Sequence, residues 1–423
     1  MKKVKEKIGI SVAIIIPVAV WIFVGWFYYT QLRGATAIFN PGEEDIISVI
    51  QRAKPGVNNT KFPLQLPNGF SLSIFAEGLN TPRALQFDPS HNILVSLPKE
   101  GKVVRILDSD KDGVGDKQET LIERLNKPNG IAVRLVSGSG DDCREGNCQL
   151  FVAEENKVSL YTFNDTGGVW FVRKLANLPT GGNHTSRSLL FVPDAVDPNN
   201  ATKGTLLVSI GSSCNVCNEK DKRRGSVLAM NPDGSNQRVF ASGLRNTVFM
   251  ANNPKTGEVW GTDMGRDLLG DDLPPDEINV IKEGNFYGWP YCFGNQIQDV
   301  NFDPSDKGKK ICEGSAVPAV NLQAHSAPLG IAFVPEKVWS ADFDNSAIVA
   351  LHGSWNRSVP AGYKLVQLKC TPVGDCQTKD FISGWIKDKA ALGRPVDILI
   401  GKDGVGYISD DKAGVIYKLT YKK

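Results

Sequence analysis

The chain has 423 residues, 41% of them hydrophobic and 22% charged, with a formal net charge of +2. It is long enough to bury a sizeable core, as two average domains or one large repeat domain. With no basic excess and no acidic tail, the composition argues against a nucleic-acid partner.

Met1–Lys7 carries Lys2, Lys3, Lys5 and Lys7, and an uncharged run follows from Ile8 to about Tyr29. That run has the length of a bilayer-spanning helix, and Trp21, Trp26, Tyr28 and Tyr29 suit an interfacial belt at its outer end. The lysines favour the cytoplasmic side, so the chain divides into a basic segment (1–7), a single transmembrane anchor (8–30), a Gly/Pro/Asn-containing linker (31–62) and an outward-facing domain (63–423). A signal peptide cleaved near Ala35-Thr36-Ala37 is the competing expectation, giving a secreted protein. Either way the domain is exported. The eight cysteines agree, falling into short-range neighbours: Cys143 with Cys148, Cys214 with Cys217, Cys292 with Cys312 and Cys370 with Cys376. Metal binding by Cys214-Asn-Val-Cys217 is a rival, but no partner motif follows at zinc spacing. Sequons stand at Asn58, Asn164, Asn200 and Asn356.

From Phe62 onward short β-rich runs alternate with Gly, Asp, Asn and Pro turns, the mark of an all-β chain. The runs repeat. Asn80-Thr-Pro-Arg83-Ala-Leu with Asn92-Ile-Leu-Val-Ser is followed by Lys127-Pro-Asn129-Gly-Ile-Ala-Val with Gln149-Leu-Phe-Val-Ala-Glu. Thr185-Ser-Arg187-Ser-Leu-Leu and Arg245-Asn-Thr-Val-Phe-Met open the next two copies. Ala327-Pro-Leu-Gly-Ile-Ala-Phe and Arg394-Pro-Val-Asp-Ile-Leu-Ile open the last two. About six copies at an irregular spacing predict a six-bladed β-propeller with insertions, five or seven blades being the alternatives. In most copies a polar residue (Arg83, Asn129, Arg187, Arg245, Arg394) precedes the innermost strand, where the central channel opens. Such groups would converge on an anionic, planar or polyoxygenated ligand.

Three stretches carry chemistry. Asp108-Ser-Asp110-Lys-Asp112-Gly113 through Asp116 to Glu119 has the twelve-position calcium loop spacing, here between strands and so a structural site. Leu178–Leu190 places His184 on a Gly-rich turn entering an apolar strand, where an imidazole can face a cavity as a base or simply bond the turn's backbone. Asp263 through Asp276 to Tyr287 and Trp289 is an acidic, proline-stiffened stretch beside an aromatic platform, a candidate hard-cation site at the mouth.

Taken together, Gly-Gly-Asn183-His184-Thr-Ser-Arg, Ser-Gly-Leu-Arg245-Asn246, Gly-Asp-Asp-Leu-Pro-Pro-Asp276-Glu-Ile-Asn, Asn-Phe-Tyr287-Gly-Trp-Pro, Ala-His325-Ser-Ala-Pro-Leu-Gly, Leu-His-Gly-Ser-Trp355-Asn-Arg and Gly-Arg394-Pro-Val-Asp397 resemble the glucose/sorbosone dehydrogenase family. These are six-bladed propellers using pyrroloquinoline quinone (PQQ). The resemblance implies that His184 is the general base on a sugar's anomeric hydroxyl. It implies that Arg245 and Asn246 contact the quinone oxygens, that Arg394 pairs with a cofactor carboxylate, and that Asn183, Arg187, Trp355 and Asn356 are further cofactor contacts. Asp276 and Tyr287 align with the loop that binds calcium against the cofactor. A family lysine is replaced near Asn356 and a second arginine by Val396, which places the chain nearer the L-sorbosone-dehydrogenase-like branch, with Arg187 or Arg357 to compensate. The implied activity is PQQ- and calcium-dependent oxidation of an aldose or related aldehyde, with electrons passed to a respiratory acceptor. Two alternatives are a calcium-stabilised, non-redox carbohydrate-binding propeller and a lactonase-like hydrolase, since one fold hosts several chemistries.

Overall fold

The computed structural model describes residues 20–27, 56–135, 148–164, 168–193, 204–371 and 374–422. Five four-stranded antiparallel sheets follow in chain order: Leu85–Phe87 to Lys117–Ile122, Gly130–Leu135 to Val169–Asn177, Leu189–Val192 to Arg238–Ser242, Thr247–Asn252 to Val320–Leu322, and Pro328–Phe333 to Cys376–Ile382. The sixth joins the two ends of the domain. Pro395–Ile400, Gly406–Asp410 and Val415–Tyr421 are completed by Phe70–Ala76, which pairs antiparallel with Val415–Tyr421. The six innermost strands pack each against the next, and the last against the first. The ring has six blades, as the repeat predicts.

Each blade is covered on both faces by its neighbours, so its second strand is largely buried and mostly apolar instead of alternating. Ile93–Leu97, Val259–Asp263 and Ser346–Leu351 are buried along their whole length. The outer strand Lys117–Ile122 meets solvent and is polar. On the axis a cavity of about 230 Å³ is lined by inner-strand residues, among them Leu85, Ile131, Leu189, Phe249 and Ile398.

Ring closure depends on Phe70. Its ring lies 4.9 Å from Trp339, 5.2 Å from Phe343 and 5.0 Å from Phe381, joining the strand from the N-terminal side to blade 5. Phe70→Ala should cost about 3–5 kcal/mol, the usual loss for a fully buried aromatic, read as a lower urea midpoint. An unchanged midpoint would mean that the ring closes without this contact.

Part of the stretch read as linker is folded: Val57–Asn58 pairs in parallel with Ser71–Leu72, and Phe62 is buried against Tyr417. The segment read as a membrane anchor lies mostly outside the described residues. Within it, 20–27 is helical with Trp21, Ile22 and Phe23 exposed, and among the described residues no helix is long and apolar enough to cross a membrane. Three of the expected bridges form: Cys214–Cys217, Cys292–Cys312 and Cys370–Cys376. The fourth was expected from Cys143, which lies outside the described residues.

Candidate functional site

In an antiparallel blade, the loop before the first strand and the loop between the second and third strands share one end of the ring. Arg83, Asn129, His184, Arg245, His325 and Arg394 precede inner strands. Ser212, Asn215, Asp267, His352, Asn356 and Asp411 lie in the second-to-third loops. All of them therefore meet at one mouth. A circuit of hydrogen bonds crosses every blade seam there. Arg83 Nε donates to Asn129 Oδ1 (3.4 Å), Asn129 Nδ2 to Ser188 Oγ (3.2 Å), Ser212 N to Arg245 O (2.8 Å), Asn356 Nδ2 to Asp267 Oδ1 (2.9 Å), Arg394 Nε to His352 O (3.0 Å) and Arg83 Nη1 to Asp411 Oδ2 (2.8 Å).

Two buried aspartates at the ends of second strands hold the mouth arginines by their backbones. Asp263 accepts from Arg245 N and Asn246 N (3.0 and 2.8 Å), and Asp410 accepts from Arg394 N (2.8 Å). Burial raises their carboxyls, Asp263 to about 7 and Asp410 to about 6.

His184 Nδ1 lies 3.0 Å from both Ser212 O and Ser212 Oγ. The carbonyl can only accept, and Oγ gives its own proton to Cys214 O at 2.7 Å. Nδ1 therefore carries the ring proton, and the lone pair is on Nε2. Burial first, and the Arg245 guanidinium second, lower its pKa to about 3, so the ring is neutral at ordinary pH. Arg187, read as a cofactor contact, is instead fully buried. It donates to the carbonyls of His184 (3.0 Å), Ser186 (2.8 Å) and Pro179 (2.8 Å), bracing the turn that carries the imidazole.

Asn246 adjoins His184 across Gly211, where an added Cβ would meet Asn246 Oδ1 at 2.5 Å and His184 Cβ at 2.6 Å. The Arg245 guanidinium is spent on protein. Nε reaches Asn215 O (2.9 Å), Nη1 reaches Gly265 O (2.8 Å), and Nη2 reaches Asn215 Oδ1 (2.8 Å) and Asp267 Oδ2 (3.0 Å). It brings charge to the mouth without a free donor. Asn356 also differs from the expectation. Its Nδ2 is taken by Asp267 and by His325 Nδ1 (3.3 Å), and its Oδ1 is buried without a partner, so it offers neither a donor to a cofactor nor room for a glycan.

Free donors stand on the other side of the ring. Arg394 gives Nε to His352 O and Nη2 to Gly353 O and lies 5.4 Å over the Tyr363 ring, leaving Nη1. Arg83 gives Nε and Nη1 to Asn129 and Asp411, leaving Nη2. Neither remaining nitrogen is buried. Asp411 also accepts from His352 Nε2 at 2.9 Å, and burial, with Arg394 beside it, lowers that imidazole to about 4. Exposed Trp355 and Asn183 flank the opening. Donors on two arginines, a neutral imidazole with a bare Nε2 and an exposed indole fit an anionic, planar group such as PQQ.

The expected metal loop at the mouth does not fit. Asp276 is buried and accepts from Gly265 N (2.9 Å), Ala327 N (2.8 Å) and Ser326 Oγ (3.2 Å), tying two mouth loops together. Tyr287 is a core residue whose hydroxyl donates to Val280 O (2.6 Å) and accepts from Lys282 N (2.8 Å). Neither turns a ligand atom to the opening.

The acidic loop of blade 1 joins its third and fourth strands and so lies at the opposite end. Carboxylate oxygens of Asp108, Asp110 and Asp112 come within 4.8 Å of one another, and Asp108 Oδ1 is buried without a partner. Asp116 instead accepts from Ser109 Oγ (2.9 Å). Glu119 stands on a strand opposite Arg105 and pairs with it and with Lys117, so the last two expected ligands are taken.

Sequence reasoning missed Asn215, Asp411 and His352, and read Asp267 only as part of an acidic stretch. The repeated strand-end Asp of Trp-Gly-Thr-Asp263 and Tyr-Ile-Ser-Asp410 was the one available signal for the backbone anchors. Asn215 and Asp267 sit in loops without a repeat to mark them.

The sequence pattern of the TrAA12-like family matches residues 64–422. The chain is 32% identical over 398 residues to an uncharacterized protein of Borreliella burgdorferi, covering 89% of this chain and 95% of that one. It is 24% identical over 416 residues to a pyrroloquinoline quinone-dependent pyranose dehydrogenase of Coprinopsis cinerea, covering 86% of this chain but only 55% of that protein. A Trichoderma reesei structure of carbohydrate-active enzyme family AA12 superposes with a TM-score of 0.69 at 23% identity, over 85% of this chain and 98% of that one. The chain belongs to the TrAA12-like family, six-bladed propellers of the PQQ-dependent sugar dehydrogenase type.

Proposed function

We propose that the domain oxidises an aldose or related hemiacetal with PQQ as cofactor, on the outer side of a membrane to which residues 8–30 anchor it, and passes the electrons to a respiratory acceptor. The observation that carries this reading is the pairing, at one mouth, of the bare Nε2 of His184 with unspent donors on Arg83 and Arg394. When bound, PQQ supplies a quinone that takes up hydride. The protein's share is positional and electrostatic. His184 Nε2 takes the proton of the anomeric hydroxyl, with Ser212 holding Nδ1–H so that the ring cannot turn. Arg83 and Arg394 hold carboxylates, Trp355 offers a face for stacking, and Arg245 supplies fixed positive charge. Disulfides support the outward location. The L-sorbosone-like placement rests on the motif resemblance alone, through Val396.

The test is dye reduction by purified protein with a panel of sugars after addition of PQQ and calcium. Sugar binding indifferent to PQQ would favour the binding module, and lactone hydrolysis without dye the hydrolase.

We place calcium at Asp108, Asp110 and Asp112, away from the mouth. Gly115 N donates to Phe75 O at 2.7 Å, so this loop ties blade 1 to the closing strand of blade 6. Chelation, or Asp110→Asn, should lower the melting temperature by about 1–3 °C, as a loss of about 1–2 kcal/mol would in a domain of this size, and leave PQQ titration unchanged. Equal melting with and without chelator would remove the ion from this loop.

A further inference from the structure

We infer that the Cys214–Cys217 disulfide is a positioning clamp for the mouth, setting His184 and Arg245 together and opening to an external dithiol. This rests on the function proposed above.

The loop between the second and third strands of blade 3 spans residues 211–225 without regular structure. Its first seven residues touch both sides of the site. Ser212 N is bound to Arg245 O at 2.8 Å, and Ser213 O accepts from Asn183 N at 2.9 Å. Ser212 Oγ, which receives the His184 proton, is itself oriented by Cys214 O at 2.7 Å. One residue on, Asn215 O and Oδ1 take Arg245 Nε and Nη2, and Asn215 Oδ1 also takes Asp267 N at 2.8 Å while its Nδ2 donates to Asp267 O at 3.0 Å. Trp289 Nε1 adds a 3.4 Å bond to Asn215 O. The carbonyl that orients the serine and the amide that holds the guanidinium are thus consecutive residues, both inside the turn that the disulfide closes. Without that closure, their direction rests on hydrogen bonds alone, among them those from Ser213 N and Oγ to Glu219 and those between Asn215 and Asp267.

The bridge spans three residues in sequence against six and twenty for the other two bridges among the described residues. A ring so short removes little freedom from the unfolded chain. Its effect is therefore local, and the blades do not depend on it. Both cysteines are partly exposed, as attack by a dithiol requires. Attack by one thiolate gives a mixed disulfide, and the second thiol releases it. The protein gains two thiols, and the reductant leaves as a disulfide.

The experiment compares full-length C214S/C217S with the parent and with C370S/C376S, whose bridge closes a hairpin at the far end of blade 5. The first readout is the titration of the four histidines by NMR on ¹³C-labelled protein, assigned with single His→Gln variants. We expect His184 in C214S/C217S to titrate higher, nearer an ordinary histidine, with C370S/C376S like the parent. The second is dye reduction, where kcat should fall about tenfold to a hundredfold, as small misplacements do, with a smaller change in KM. If C214S/C217S does not fold, brief treatment of the parent with dithiothreitol, with alkylation mapped by mass spectrometry, gives the same comparison. Unaltered His184 titration in the opened protein overturns the clamp. A parent that titrates as described but neither binds PQQ nor oxidises sugars overturns the proposed function and leaves the clamp standing.

Discussion

His184→Ala is expected to lower the rate of sugar-dependent dye reduction by about 10²–10⁴-fold, the contribution of a positioned general base, while PQQ titration changes little. The separation follows from the bonding: Nδ1–H is committed to Ser212, and only Nε2 is left for substrate. His184→Gln should not rescue, because an amide cannot accept the proton. The same residue has a pH signature in stability. Its folded pKa, about 3, lies below the ordinary histidine value of 6.5. The unfolded chain therefore binds more protons as pH falls below about 6.5, and stability is lost in that direction, on the order of 1 kcal/mol per pH unit. His352, lowered to about 4, acts with the same sign. Urea unfolding from pH 7 to pH 4.5 should show a shallower slope for His184→Gln than for the parent. Equal slopes would place the imidazole in water, and dye reduction surviving the alanine substitution would dismiss it as the base.

Arg245→Ala should have a large effect on stability, about 3 kcal/mol, because removing a buried guanidinium strands the groups it holds. Arg245 is 4% exposed and holds groups from two loops, Asn215 on one side and Gly265 and Asp267 on the other. Lysine keeps the charge but cannot fork to all of them, so Arg245→Lys should recover only part of the loss. PQQ affinity should fall in both variants through the loosened loops, and His184 should titrate higher in the alanine variant, since the guanidinium is the second cause of its low value. A urea midpoint and PQQ titration equal to the parent's in Arg245→Ala would show that the mouth does not depend on this web.

Much of the ring was legible beforehand. The six inner strands begin where the repeats begin, and Arg83, Asn129, Arg187, Arg245 and Arg394 do precede them. A blade's pattern is local: an apolar run covered on both faces, bounded by turns, recurs whatever the rest of the chain does. The closing strand Phe70–Ala76 carried no such mark, because its partner Val415–Tyr421 is more than three hundred residues away. Local spacing also misled at Glu119, where a position in the calcium pattern is overruled by strand pairing with Arg105.

What the sequence by itself determined is therefore the repeated blade pattern with a count of about six, the end of the ring that carries the polar groups, and His184 as the candidate base. Only the tertiary structure decided which of those groups remain free. Arg187, Arg245, Asn356, Asp276 and Tyr287 all read as ligand contacts, yet their hydrogen bonds are made within the protein, those of Arg245, Asn356 and Asp276 to other mouth loops and those of Arg187 and Tyr287 nearer by. Arg83 and Arg394 keep a donor each because their neighbours take only part of the fork. The physical reason is that a buried polar group must find partners, and at a mouth assembled from six blades those partners come from distant parts of the chain, where no local pattern records them.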